Sequence, residues 1–155
     1  MTGTWDGQGW TPEQTQTAPT PIDAVSFFVP GVPIPQGSKT AFVVGNRAVV
    51  TDQNRVKLKP WRATVANHAD IARTFTGPVA VTLTFYMPRP QRPRWDKPAV
   101  KPDIDKLVRA ALDGLTDGGL LEDDARVTNL RTWKRYADES SRVGMFVMVT
   151  VDDAL

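Results

Sequence analysis

Apolar residues alternate strictly over Val79, Val81, Leu83, Phe85 and Met87, the period of a half-buried strand. A different period follows. Ile104, Leu107, Val108, Ala111, Leu112 and Leu115 recur at the spacing of one helical stripe, which predicts an amphipathic helix. Residues 126–136 read as a strand, and Val143, Met145, Val147 and Val149 alternate as the last one. Upstream, AVSFFVP at 24–30 predicts the first strand. Stretches 41–44 and 48–51 flank Gly45-Asn46-Arg47, a hairpin signal in which Gly and Asn supply the turn. Pro60 is placed in the first turn of a helix over 60–73, with Trp61, Val65, His68 or Ala69, and Ala72 on one stripe. The breakers PGVPIPQGSK and the Arg/Pro-rich stretch 88–102 predict loops.

The resulting order is strand, hairpin, helix, strand, loop, helix, strand, strand. It predicts an α+β (mixed α/β) domain, a small mixed β-sheet with two main helices packed on it. At 155 residues and 41% hydrophobic content the chain suits one domain with one core. Residues 1–21, rich in Gly, Thr, Gln and Pro without periodicity, are expected to be a disordered tail. In that tail Trp5 and Trp10 could dock on the domain or on a partner. Residues 22–155 form the domain.

Composition narrows the chemistry. The chain has no cysteine, which excludes disulfides and thiolate metal sites and suits a reducing interior. No apolar run reaches the length of a membrane span, and the N-terminus lacks a signal pattern. A soluble, cytoplasmic protein with no membrane partner is expected. Net charge is only +2, but residues 1–21 contain no Lys or Arg, so all 19 basic side chains lie in the remainder. They are densest from Arg89 to Arg109, with Arg92, Arg94, Lys97, Lys101 and Lys106 between. Such a stretch suits a phosphate backbone; a solvated loop fits the charge equally well. Lys39 after the Pro/Gly turn, and Lys57, Lys59 and Arg62 on the first helix, are weaker cases of the same ambiguity. Trp95 in the basic loop could stack on an exposed base or anchor the loop.

Four aspartates bracket the second helix: Asp103 and Asp105 at its start, Asp123 and Asp124 after it. One Asp at a helix start is ordinary capping, but two leave one surplus. Asp105 and Arg109 could form an i, i+4 pair. Adjacent residues on an extended chain point to opposite faces, so only one of Asp123 and Asp124 can face the helix. If the chain returns to the helix start, three carboxylates converge. Hard cations such as Mg²⁺ or Mn²⁺ would then relieve their repulsion, and metal-assisted phosphodiester hydrolysis is the economical chemistry. The spacing does not fix that return. His68, the sole histidine, reads as packed or solvated.

The stretch KPDIDKLVRAALDGL…LEDDARV resembles the signature of the RusA-type Holliday junction resolvases, common in phages and prophages. The match runs through Asp103, Asp105, Asp113-Gly114-Leu115, Asp123-Asp124 and Val127. FFVPGVPIPQGSK is similar to the family's opening strand and turn, and VAVTLTFYMPRPQRP to its middle strand and basic loop, so the resemblance spans about 24–151. It implies a homodimeric, Mg²⁺-dependent crossover junction endodeoxyribonuclease, with Mn²⁺ as the alternative ion and no small-molecule cofactor. Such an enzyme places paired nicks across a four-way junction in DNA recombination and repair, in a bacterial host cell. By the resemblance Asp103, Asp105 and Asp124 are the catalytic metal-binding carboxylates, with Asp123 and Lys106 beside them. Arg109 stands where the family has its functional Lys, and Lys106 where it has Asn. Arg offers a permanently charged planar fork and cannot serve as a proton donor. Lys39, Arg89, Arg92, Arg94, Lys97 and Lys101 are the expected DNA contacts. The rival readings are a metal-dependent nuclease for flaps or forks, and a DNA-binding module whose carboxylates merely cap a helix.

Overall fold

The computed structural model of the chain describes residues 3–5, 7–12, 23–37, 39–52 and 55–153. Strict alternation gives strands where the pattern places them. β1 (Gly3–Trp5) and β2 (Trp10–Pro12) pair with each other. β3 (Ala24–Pro30) leads through a Pro/Gly turn to the hairpin β4 (Lys39–Val44) and β5 (Arg47–Asp52). Then come α1 (Arg55–Ala69), β6 (Val79–Met87), α2 (Ile104–Asp117), a 3-10 turn (Asp124–Arg126), β7 (Val127–Tyr136) and β8 (Gly144–Val151). The main sheet is four-stranded and mixed, in the order β3-β8-β6-β7. β6 and β7 are parallel and the other pairs antiparallel. A parallel pair needs a long crossover, and α2 is that crossover. The chain is thus a mixed α+β domain with two main helices, as its pattern predicts.

One face of the sheet meets both helices. Val79, Val81, Leu83 and Phe85 of β6 and Met145, Val147 and Val149 of β8 point inward and are buried. α2 closes over them with Leu107, Val108, Ala111 and Leu115, and α1 with Leu58, Trp61 and Val65. Each such side chain contributes about 1.5–3 kcal/mol by burial. The helices touch each other closely, because Gly114 of α2 and Gly118 at its C-cap lie against Val65, Ala66 and Ala69 of α1. Among the described residues, the opposite sheet face has neither helix on it; Ser26, Met148, Arg131 and Trp133 are exposed there.

Two boundaries differ from the pattern. α1 begins before Pro60, not at it, and stops at Ala69 instead of residue 73. Leu58 is only 5% exposed, so its place in the core extends the helix through the proline, which lacks only one N–H. Ala72, beyond that end, has a positive φ of 58°, which excludes right-handed helix at that position. Within 1–21, read as a disordered tail, residues 3–5 and 10–12 form a short hairpin in which Trp5 lies opposite Trp10. A cross-strand aromatic pair favours such a ladder.

Candidate nuclease site

The crossover topology decides where the aspartates go. β6 and β7 run the same way and α2 runs back between them. The start of α2 therefore lies at the C-terminal end of β6 and β7, and its last turn near their beginnings. Asp103 and Asp105 sit at the first end, and Asp123 and Asp124 at the second.

Asp103 occupies the N-cap position of α2 with extended backbone (φ −68°, ψ 140°), yet its side chain makes no capping hydrogen bond. Its carboxylate instead lies 3.7 Å from Lys106 Nζ. Asp105 is exposed in the first turn, and among the described residues no hydrogen bond or ion pair holds its side chain. The i, i+4 pair with Arg109 is not formed, and Arg109 is exposed one turn further along the same stripe. Capping thus accounts for neither carboxylate, and local pairing engages Asp103 alone. A cleft of about 390 Å³ opens beside Asp103, lined also by Pro33 and Pro35 of the turn, Lys57 of α1, and Lys101 and Lys106.

Lys134 of β7 fixes the approach to this end. Its ammonium donates to Val100 O at 2.7 Å and Pro102 O at 2.8 Å. Burial pulls it below the ordinary lysine value, while the nearby Asp103 charge opposes that fall. The backbone N–H of Gln36 donates to Lys106 O at 2.9 Å, tying the Pro/Gly turn to α2. The sequence singled out neither residue. Lys134 had one legible mark, a cation in phase with Leu130, Thr132 and Tyr136 on the inward face of its strand.

The segment after α2 returns only to its last turn. Asp124 accepts a short hydrogen bond from Thr116 Oγ1 and lies against Asp113. Burial raises the Asp113 carboxyl above its ordinary value; the hydrogen bond and charge of Asp124 add to this, and Arg62 opposes it. Arg62 of α1 is 3.8 Å from Asp113 and 2.7 Å from Asp117. Asp113 follows Asp105 by about 12 Å of helix, at roughly 1.5 Å per residue. Within one chain Asp124 therefore does not join Asp103 and Asp105. Among the described residues no group of three or more His, Asp or Glu side chains is placed to hold a metal ion. The twin aspartates also divide their work. Asp123 caps the 3-10 turn, accepting from Ala125 N at 2.7 Å, and Asp124 turns toward the helix. The expected extended chain at this point is instead that 3-10 turn.

The loop 88–102 leads directly into Asp103. Arg89, Arg92, Arg94, Lys97 and Lys101 are all exposed on it, and among the described residues none forms an ion pair. Arg94 stacks over Trp95 at 4.8 Å. Lys39 starts β4, but its side chain lies outside the described residues, as does Ser38. His68 Nδ1–H donates to Thr64 O at 2.8 Å within α1, a local tie one helical turn back.

The sheet thus carries a cationic loop at one end, with Asp103 and Asp105 beside it, a charge distribution that suits a polyanion. The chain belongs to the endodeoxyribonuclease RusA family, whose model matches residues 30–149. That membership places it among DNA endonucleases. It is also 28% identical over 131 residues to the uncharacterized protein YqaN of Bacillus subtilis (strain 168), covering 76% of this chain and 92% of that protein. Among the described residues no helix is long and apolar enough to cross a membrane.

Proposed function

We propose that the protein is a divalent-metal-dependent endonuclease that resolves four-way DNA junctions by paired nicking, one strand per subunit of a homodimer. The observation that carries this reading is at the start of α2. Asp103 stands at the cap position without capping, Asp105 has no partner among the described residues, and five loop cations lie just upstream. The donor set fits Mg²⁺, which commonly takes one or two carboxylates and completes its shell with water and substrate phosphate; Mn²⁺ is the alternative. When bound, the ion would activate water and offset charge on the scissile phosphate.

The chain's own residues do the rest. Lys57, Lys101 and Lys106 border the cleft beside Asp103 and hold the DNA backbone there. Arg109, one turn past Asp105, presents a fork to the phosphate as negative charge grows in the transition state. Lys134 holds the 100–102 segment that positions Asp103. The capping role of Asp123 supports Asp124 as the third carboxylate. Its distance from Asp103 and Asp105 supports a site completed by a second copy, in which Asp124 of one subunit approaches the α2 start of the other.

Incubation with a four-way junction, a flap and a linear duplex in Mg²⁺ tests the proposal. Paired nicks in the junction are expected. Cutting of flaps alone would replace the substrate, and binding without cutting in either ion would leave a DNA-binding module.

A further inference from the structure

The open face of the main sheet has its own chemistry. Strand register places Phe28, Phe146, Thr84 and Trp133 in one row across β3, β8, β6 and β7. The next row holds Pro30, Gly144, Tyr86 and Arg135. Gly144 is required there, because a Cβ would run into the Phe28 ring and Val29 O. Over that gap Phe28 and Tyr86 meet with ring centroids 6.5 Å apart. Guanidiniums lie on the rings: Arg142 is 4.8 Å from the Phe28 centroid and Arg135 is 6.0 Å from that of Trp133. Arg131 occupies the row on the other side of Trp133 and is exposed.

Charge selects the occupant. No open-face position in the paired rows of the four strands is Asp or Glu. A second copy docked face to face would set these arginines against each other, whereas a polyanion would match them. Aromatic rings interleaved with arginine on a sheet face stack unpaired bases, which a duplex does not offer. The face also continues toward the catalytic end. A cleft of about 370 Å³ joins Trp133 and Arg135 to Lys97 of the basic loop, with Asp96 the carboxylate on it. Lys134, between Trp133 and Arg135 in the chain, points the other way and holds Val100 and Pro102.

We propose that this open face is a stacking platform for unpaired nucleotides of DNA, with Trp133, Tyr86 and Phe28 taking bases and Arg131, Arg135 and Arg142 the backbone. The proposal rests on the DNA-endonuclease reading for its choice of DNA as ligand, but it stands on a separate surface. The test is fluorescence anisotropy with labelled oligothymidine of about twelve nucleotides, beside a duplex of equal length, in EDTA so that cleavage plays no part. Trp133→Ala and the pair Arg131→Ala/Arg135→Ala are expected to weaken oligothymidine binding about tenfold or more, and Trp133→Phe to restore most of it. Trp133→Ala should leave duplex binding nearly unchanged. Unaltered oligothymidine affinity in both variants, or equal loss for duplex and oligothymidine in Trp133→Ala, overturns the platform. So does a dimer that Trp133→Ala converts to monomer, because the face then covers a second copy. Circular dichroism melts confirm folding of each variant. A wild type that binds oligothymidine in this way but cuts no junction keeps the platform and loses the endonuclease reading.

Discussion

Asp103 and Asp105 stand two positions apart, yet neither does the ordinary work of an acid at a helix start. A capping carboxylate would accept from the first-turn N–H groups; that of Asp103 does not. Arg109 is exposed on α2 one turn past Asp105. With no ion pair among the described residues, its fork is free for phosphate. Arg109→Ala is expected to slow junction cleavage by about a hundredfold or more while binding falls much less; unchanged single-turnover rates would remove it from the site. Elsewhere, Asp138 shows what an engaged carboxylate looks like. Hydrogen bonds from Ser140 and Ser141 hold its carboxyl below the ordinary 3.8. A depressed folded value favours the folded state above 3.8, and that contribution fades as pH falls through the folded value. Ser140→Ala should move the Asp138 titration back toward 3.8, read by carboxyl NMR.

At the scale of elements, α2 was fully legible because its apolar stripe is unbroken and both its ends carry polar signals. β6 and β8 were legible for the same reason with period two. The start of α1 was not, because burial of Leu58 overrides the local signal of Pro60. The convergence of Asp124 was not legible either. Sequence spacing limits how far a chain can return, but the parallel pairing of β6 and β7 decides which end of α2 it reaches. The helix pair depends on glycine. A Cβ at Gly118 would lie 2.9 Å from Ala66 Cα and 2.9 Å from Ala69 Cβ, and one at Gly114 would lie 2.7 Å from Val65 Cβ. Overpacking of backbone against backbone costs about 1–3 kcal/mol. Gly118→Ala should therefore lower the melting temperature by several degrees, at roughly 2–4 °C per kcal/mol for a chain of this size. An unchanged melt would mean that the helices slide apart freely.

The whole molecule separates its tasks by position. The α2 start, the cationic loop and Lys134 share one end of the sheet, and Asp113, Thr116 and Asp124 share the other. In the proposed two-fold assembly both ends would meet at one place, and its symmetry would match that of a four-way junction. Mixing Asp105→Asn and Asp124→Asn subunits, each inactive alone, is then expected to recover nicking, since a mixed dimer keeps one intact site. No recovery would place all three carboxylates in one chain. The most direct measurement compares wild type with Asp105→Asn on a synthetic four-way junction and a matched duplex in Mg²⁺. Symmetric nicking of the junction alone is predicted for the wild type, with Asp105→Asn slower by at least about a hundredfold and binding as tightly. Equal cutting by the two proteins, or binding without cutting by the wild type in Mg²⁺ and Mn²⁺ alike, would contradict the account.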